Sequence, residues 1–132
     1  MIEVLVSIVI LSIGLLGYAG LMLKSNKDNL TSYYRSQATL MAYDIIDCMR
    51  VNPVVAKSGG YNTTFTTAAP SGTNVNAADL VRWKSNLSTT LPVGQGNIQV
   101  SGNTVTIQIR WTAARASSAD AEFTTFTTQS QL

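Results

Sequence analysis

Residues 4–23 read VLVSIVILSIGLLGYAGLML, twenty residues without a charge. As an α-helix this run is about 30 Å long, the thickness of a bilayer's hydrocarbon core. Its polar side chains are Ser7, Ser12 and Tyr18. In a helix the serines return their hydrogen bonds to the preceding turn, and Tyr18 reaches an interface or a neighbouring helix. Lys24 closes the run and Lys27 follows one turn later, placed to anchor one end of a span. A secretory signal peptide is the rival reading. It requires a basic leader, a shorter apolar centre and a small-residue cleavage site. Here Glu3 stands at the start, and the run passes into a second helical pattern without a cleavage-like break. A spanning segment is therefore expected.

Glu3 is the odd residue of this segment. Inside lipid its carboxylate would cost about 2.5–3.5 kcal/mol on insertion scales. Two readings fit its position. It sits at the membrane surface, where the first-turn N–H groups favour a negative charge, or it waits for a cation on a neighbouring subunit. Gly14, Gly17 and Gly20 recur every third residue and form a slanting stripe of small side chains. Such a stripe admits a close neighbouring helix. Each glycine also weakens the helix by about 1 kcal/mol in water, so local melting is an alternative to packing. Glycine is also simply common in membrane helices.

After Lys24 the pattern turns amphipathic. Leu30, Tyr34, Ala38, Met41, Ile45 and Cys48 are spaced 4, 4, 3, 4 and 3, one face of an α-helix. Tyr33, Ile46 and Met49 widen that stripe, and no proline or glycine interrupts Leu21 to Val51. Asn52-Pro53 stops it, because proline disfavours helix at the residue before it. The expectation is one helix of about fifty residues, near 75 Å at 1.5 Å per residue. That is too long for an ordinary globule of 132 residues. No sustained heptad with e and g charges supports a coiled coil instead.

The remainder is polar. Residues 54–78 are rich in small polar residues, with Gly59-Gly60 and Pro70-Ser71-Gly72 as turn signals, and read as a long surface loop. Asn76 is placed to cap a second helix from Ala77 to about Thr90, with Leu80, Trp83, Leu87 and Leu91 as its buried stripe and Asp79 near its N-terminus. Pro92 ends it. In residues 97–111, NIQVSGNTVTIQIRW, Gly102-Asn103 is a two-residue hairpin turn. Pairing through it sets Val100 opposite Val105, Ile98 opposite Ile107 and Gln99 opposite Thr106, with the aliphatics on one side, extended by Ile109 and Trp111. Glu122 to Gln131, rich in Thr and Phe, supplies a third strand. Such a sheet is marginal alone. It gains a core against the second half of the long helix, where Tyr34, Met41, Ile45, Trp83, Trp111 and Phe123 are expected to meet. The fold class is α+β: a long N-terminal helix packed on a small antiparallel sheet of about three strands. Residues 1–23 are expected to form the transmembrane half of the helix, and residues 24–132 the head domain.

Composition narrows the chemistry. Charged residues are 12% of the chain, about half the usual share, and the net charge is only +2. Nucleic-acid binding is not expected from so weak and scattered a charge, including the pair Arg110 and Arg115 beside Trp111. There is no histidine and one cysteine. Intramolecular disulfides, His/Cys zinc sites and His-dependent triads are therefore excluded. Asp44, Asp47 and Arg50, three apart, read as a solvated charge ladder or a subunit contact, because nothing near them supplies a cleft or base. Cys48 reads as a small buried hydrophobe, with an intersubunit disulfide as the lesser alternative.

Taken together, residues 1–17, MIEVLVSIVILSIGLLG, with Tyr34-Arg35-Ser36-Gln37-Ala38 and residues 42–53, AYDIIDCMRVNP, resemble the type IV pilin family, and within it the PilV-type minor pilins. The resemblance covers residues 1–53; beyond them only general architecture is similar. It implies a basic leader cut after a glycine by a prepilin peptidase, a methylated N-terminal phenylalanine, and an assembly platform that builds the filament. It also implies that Glu3 corresponds to the family glutamate that meets the N-terminal amine of an adjacent subunit. The leader, glycine, phenylalanine and threonine of that pattern do not stand in this sequence, and Met1 stands where the family usually has leucine, as a truncated or mis-assigned start would leave it. Gly20 lies where many major pilins carry a proline. The resemblance implies a non-enzymatic, cofactor-free subunit that helps initiate or cap a type IV pilus. Such a subunit resides in the bacterial inner membrane as a single-pass protein, then in the extracellular pilus, with other pilins as partners through the helix bundle. A type II secretion pseudopilin, a major pilin and a membrane-tethered binding domain are the alternatives.

Overall fold

The pre-proline restriction at Asn52 ends the first helix where the sequence places its stop. In the computed structural model, which describes residues 1–112 and 122–132, α1 runs from Ile2 to Val51, 50 residues. The chain divides into two units, Met1–Tyr33 and Tyr34–Leu132. The first unit is the opening part of α1, with every residue exposed. The second holds the rest of α1, α2 (Pro53–Lys57), α3 (Val75–Thr90), β1 (Gln95–Ser101), β2 (Thr104–Thr112) and β3 (Phe123–Gln131). This is the expected α+β architecture, a long N-terminal helix whose second half packs on a three-stranded antiparallel sheet of order β1-β2-β3.

The hairpin has the register that alternation requires: Ile98 pairs with Ile107, Gln99 with Thr106 and Val100 with Val105. Gly102 alone of the two turn residues takes a positive φ, +60°, as hairpin turns with glycine first do. Ile98, Val105, Ile107, Ile109 and Trp111 are all buried on one face. Gly96 lies on that face opposite Ile109, and a Cβ there would come within 2.2 Å of the Trp83 ring and 2.7 Å of Leu87. Only glycine lets the indole lie so close to the strand.

From α1 the core takes Ala38, Ala42, Ile45, Ile46 and Met49. The covered face is therefore narrower and slightly rotated from the periodic stripe read in the sequence. Leu30 and Tyr33 stay 54% and 53% exposed, and Cys48 lies at the margin. Periodicity finds a face, but the width that is covered depends on what packs there.

Three local expectations are corrected. Residues 54–78 are not loop throughout: Pro53 starts α2, a position where its missing N–H is no loss, and Thr63 forms an antiparallel bridge with Ile98 at the free edge of β1. The helix expected from Ala77 begins at Val75, with Asn74 at its N-cap. Asn76 instead donates to the Gly60 carbonyl at 2.8 Å, and Asp79 falls beyond the first turn. Phe123 does not join the core. It pairs with Thr112, on the face opposite Ile109, and the phenylalanine packed against the core is Phe126. Arg115 lies outside the described residues.

Candidate functional site

Within the first unit, each large apolar side chain from Ile2 to Leu23 is 51–78% exposed. The helix is long and apolar enough to cross a membrane. Ser7 and Ser12 turn their hydroxyls back to the carbonyls of Glu3 and Ile8, at 2.8 and 2.7 Å, so the helix surface offers almost no unmet hydrogen-bonding group. Glu3 is in the first turn and exposed. Among the described residues, no ion pair includes it. The helix continues unbroken through Gly14, Gly17 and Gly20, and beyond each of their α-carbons the space is open. A surface so apolar is favourably withdrawn from water onto other apolar matter.

In the second unit, Ile45, Trp83 and Trp111 are buried together, with Tyr34 and Met41 packed against them from the rim. The Trp83 indole N–H donates to the Met41 main-chain carbonyl at 3.0 Å. Tyr61, absent from the sequence reading, is fully buried, and its hydroxyl donates to Asp79 Oδ2 at 2.8 Å. Burial and this bond to a carboxylate push its pKa up to about 12.

The carboxylates on α1 do not form one ladder. Arg50 pairs with Asp47 at 3.1 Å and also donates to Ser130, whereas Asp44 faces Arg82 of α3 at 3.6 Å. Arg82 also donates to the Cys48 sulfur at 3.1 Å. Partial burial raises the Cys48 pKa, with the Asp79 charge acting the same way and Arg82 opposing. The thiol is held as a thiol, which is poor preparation for a nucleophile. Among the described residues no cluster of three His, Cys, Asp or Glu side chains is placed to hold a metal. Arg110, on the sheet face away from the core, lies 4.2 Å from the Phe65 ring and 4.4 Å from that of Phe123 and donates to Gln95. Its guanidinium is spent on ring and amide contacts within the chain.

Apart from the Arg50–Asp47 pair on α1, the side chains joined here are distant in sequence: Tyr61 and Asp79 are 18 residues apart, Arg82 and Cys48 34. Only the folded chain brings them together. Compared with known proteins, the chain matches no family model, no curated protein and no solved structure.

Proposed function

We propose that this chain is a structural, non-enzymatic subunit of a type IV pilus, a minor pilin that promotes initiation or capping at the filament tip. The supporting observation is the exposed apolar surface from Ile2 to Leu23, opened by a single carboxylate and leading into a folded α+β head. The monomer waits in the inner membrane. Entry into a filament exchanges lipid for the helices of other pilins, so apolar burial is largely conserved and the exchange is feasible. The glycine stripe lets those helices approach. Glu3 then sets the register, because an unpaired carboxylate in a dry bundle is heavily penalised and a paired one is tolerated. Prepilin peptidase and an assembly platform are partners that follow from the family resemblance.

The test is immunogold labelling of sheared filaments from cells carrying wild-type chain or Glu3→Ala. The wild type is expected in filaments, and the variant in the membrane fraction with its head still folded. Normal incorporation of Glu3→Ala removes the register role. Wild-type chain found only in membranes removes the filament reading and leaves a tethered binding domain.

A further inference from the structure

The two outer edges of the sheet differ. At β1, Thr63 and Ile98 exchange both backbone bonds, at 3.1 and 3.0 Å, and Asn62 Oδ1 accepts the Val100 N–H at 2.9 Å. That edge is closed by the chain's own loop. β3 is the other outer strand, and among the described residues nothing pairs with its far side. Which groups it leaves there follows from the alternation of antiparallel ladders. Ile98 directs its backbone groups to Thr63, so its partner Ile107 turns toward β3, where it is paired with Thr128. Thr128 therefore faces β2, and Thr125, Thr127 and Gln129 direct N–H and C=O outward. Leu132, whose N–H reaches the Asn103 carbonyl at 2.8 Å, has the parity this requires. The Gln131 carbonyl meets the Ser130 hydroxyl at 3.4 Å, so the open stretch is the middle of the strand.

Exposed strand edges are usually blunted by a charge, a proline or a bulge. β3, FTTFTTQSQ, carries no charged residue and no proline, and its nine residues pair with β2 one for one. Thr125, Thr127 and Gln129 are exposed. An edge left in this state is a template for another strand.

A second copy is the first occupant to weigh. Two β3 edges would pair antiparallel about a dyad normal to the sheet. α1 packs along one face of that sheet. The dyad would reverse α1, and two chains whose apolar helices enter one membrane cannot be so related. That step rests on the membrane reading of α1. The side chains along the edge describe the alternative. On the core side Phe126 is half-buried at the rim of the core. An added residue opposite it falls in a non-hydrogen-bonded pair, where side chains come closest, and an apolar residue there extends the core. Beside Ser130 stands Arg50, already paired with Asp47, so a neutral amide acceptor fits and a charge is not called for. The outer side offers Thr125, Thr127 and Gln129, which suit polar neighbours. We propose that the free edge of β3 is a strand-addition site for an uncharged, extended segment of a different polypeptide. The segment runs antiparallel, polar on one side and apolar on the side that faces Phe126.

The test is amide hydrogen exchange of the ¹⁵N-labelled full chain in phosphocholine micelles, with and without an acetylated peptide. Its sequence is Thr-Gln-Thr-Val-Thr-Ile-Thr-Val-Thr, followed by two lysines for solubility. Without peptide, Thr125, Thr127 and Gln129 are expected to exchange fast, and Phe126 and Thr128 slowly. The peptide is expected to slow the first three by about tenfold or more, saturably. Methylating the backbone nitrogens of its third, fifth and seventh residues, which would face β3, is expected to abolish the effect. Methylating the fourth and sixth is expected to leave it. Thr127→Pro removes an outward N–H that β2 does not use and is expected to weaken binding about tenfold with the head still folded. The methylated peptides decide the matter if that variant does not fold. The proposal is overturned if the peptide gives no protection, or if protection is indifferent to which nitrogens are methylated. Protection that appears without peptide as the protein concentration rises also overturns it, in favour of a second copy. Flotation of the chain with lipid vesicles checks the membrane premise separately, since the peptide titration does not depend on it.

Discussion

The Trp83 indole N–H is bonded to the main-chain carbonyl of Met41, 42 residues earlier, so α3 is fastened to the backbone of the long helix. Trp83 is also fully buried. Trp83→Phe removes the donor and part of the ring volume, and a loss of about 2–3 kcal/mol is expected. Thermal unfolding of the full chain in detergent, followed by near-ultraviolet circular dichroism, measures it, since Trp111 remains to report. An unchanged Tm would mean that the bond and the packing do not hold the head.

The same ring makes Gly96 sensitive. An added methyl would sit 2.2 Å from Cη2 and 2.6 Å from Cζ3 of Trp83, both atoms of the six-membered ring. Gly96→Ala is expected to destabilise the head by about 1–3 kcal/mol through overpacking. Phenylalanine at position 83 ends short of those atoms, so the double variant Gly96→Ala/Trp83→Phe is expected to lose less than the two single losses combined. A double-mutant cycle on Tm checks this, and strict additivity would show that strand and ring do not collide.

Tyr61 gives the head an alkaline limit. Its folded-state pKa, about 12, lies above the ordinary value near 10, so folding favours the protonated phenol. The stabilisation is complete below pH 10, where both states hold the proton. It declines as the unfolded phenol ionises and is lost as pH rises through 12. The linked change is on the order of 2 kcal/mol. Tyr61→Phe is expected to flatten the profile of Tm against pH between 10 and 12, at a cost of about 1 kcal/mol at neutral pH from the lost bond to Asp79. A slope that persists in the variant would assign it to another group.

How much of this was readable in advance follows from the range of the interactions. The hairpin was legible because both its signals are local: Gly102-Asn103 for the turn, and alternating Val and Ile for the register. The long helix was legible because residues 4–23 lack any charge and the next proline is Pro53. Exposed Glu3 and the three glycines were visible for the same reason, since their neighbours in the helix are their neighbours in sequence. The segment after α2 was not. It lacks periodicity, and it is held by the Thr63–Ile98 bridge, by Asn76 on Gly60 and by Lys84 on two carbonyls, all contacts between distant residues. Tyr61, Thr63 and Asn97 look like ordinary polar or loop residues until the fold buries them. Phe123 and Phe126 could not be told apart without the strand's starting register.

Val93 holds a positive φ of 52°, where a β-branched side chain crowds its own carbonyl. Its side chain is 51% exposed, so little packing is at stake. Val93→Asn keeps a side chain that tolerates this conformation and is expected to raise stability by roughly 0.5–1 kcal/mol. The gain is read as a higher Tm of the full chain. A drop would mean that the valine methyls contribute more than the backbone conformation costs.

The apolar half of α1 is a separate unit, so its affinity for lipid should be separable from the stability of the head. Ile13 is near the middle of the uncharged run and 66% exposed. An arginine there is penalised by about 2.5–3.5 kcal/mol at the centre of a spanning helix. Ile13→Arg is therefore expected to move a substantial fraction of the chain out of the membrane pellet after alkaline carbonate extraction, while leaving the head's Tm unchanged. Leu40→Arg, at an exposed position beyond the run, is expected to leave extraction as it was. If both substitutions release the chain equally, the membrane is not gripping the segment from Val4 to Leu23. If Ile13→Arg lowers the head's Tm, the two units depend on each other for folding, and membrane insertion cannot be tuned independently of the domain it carries.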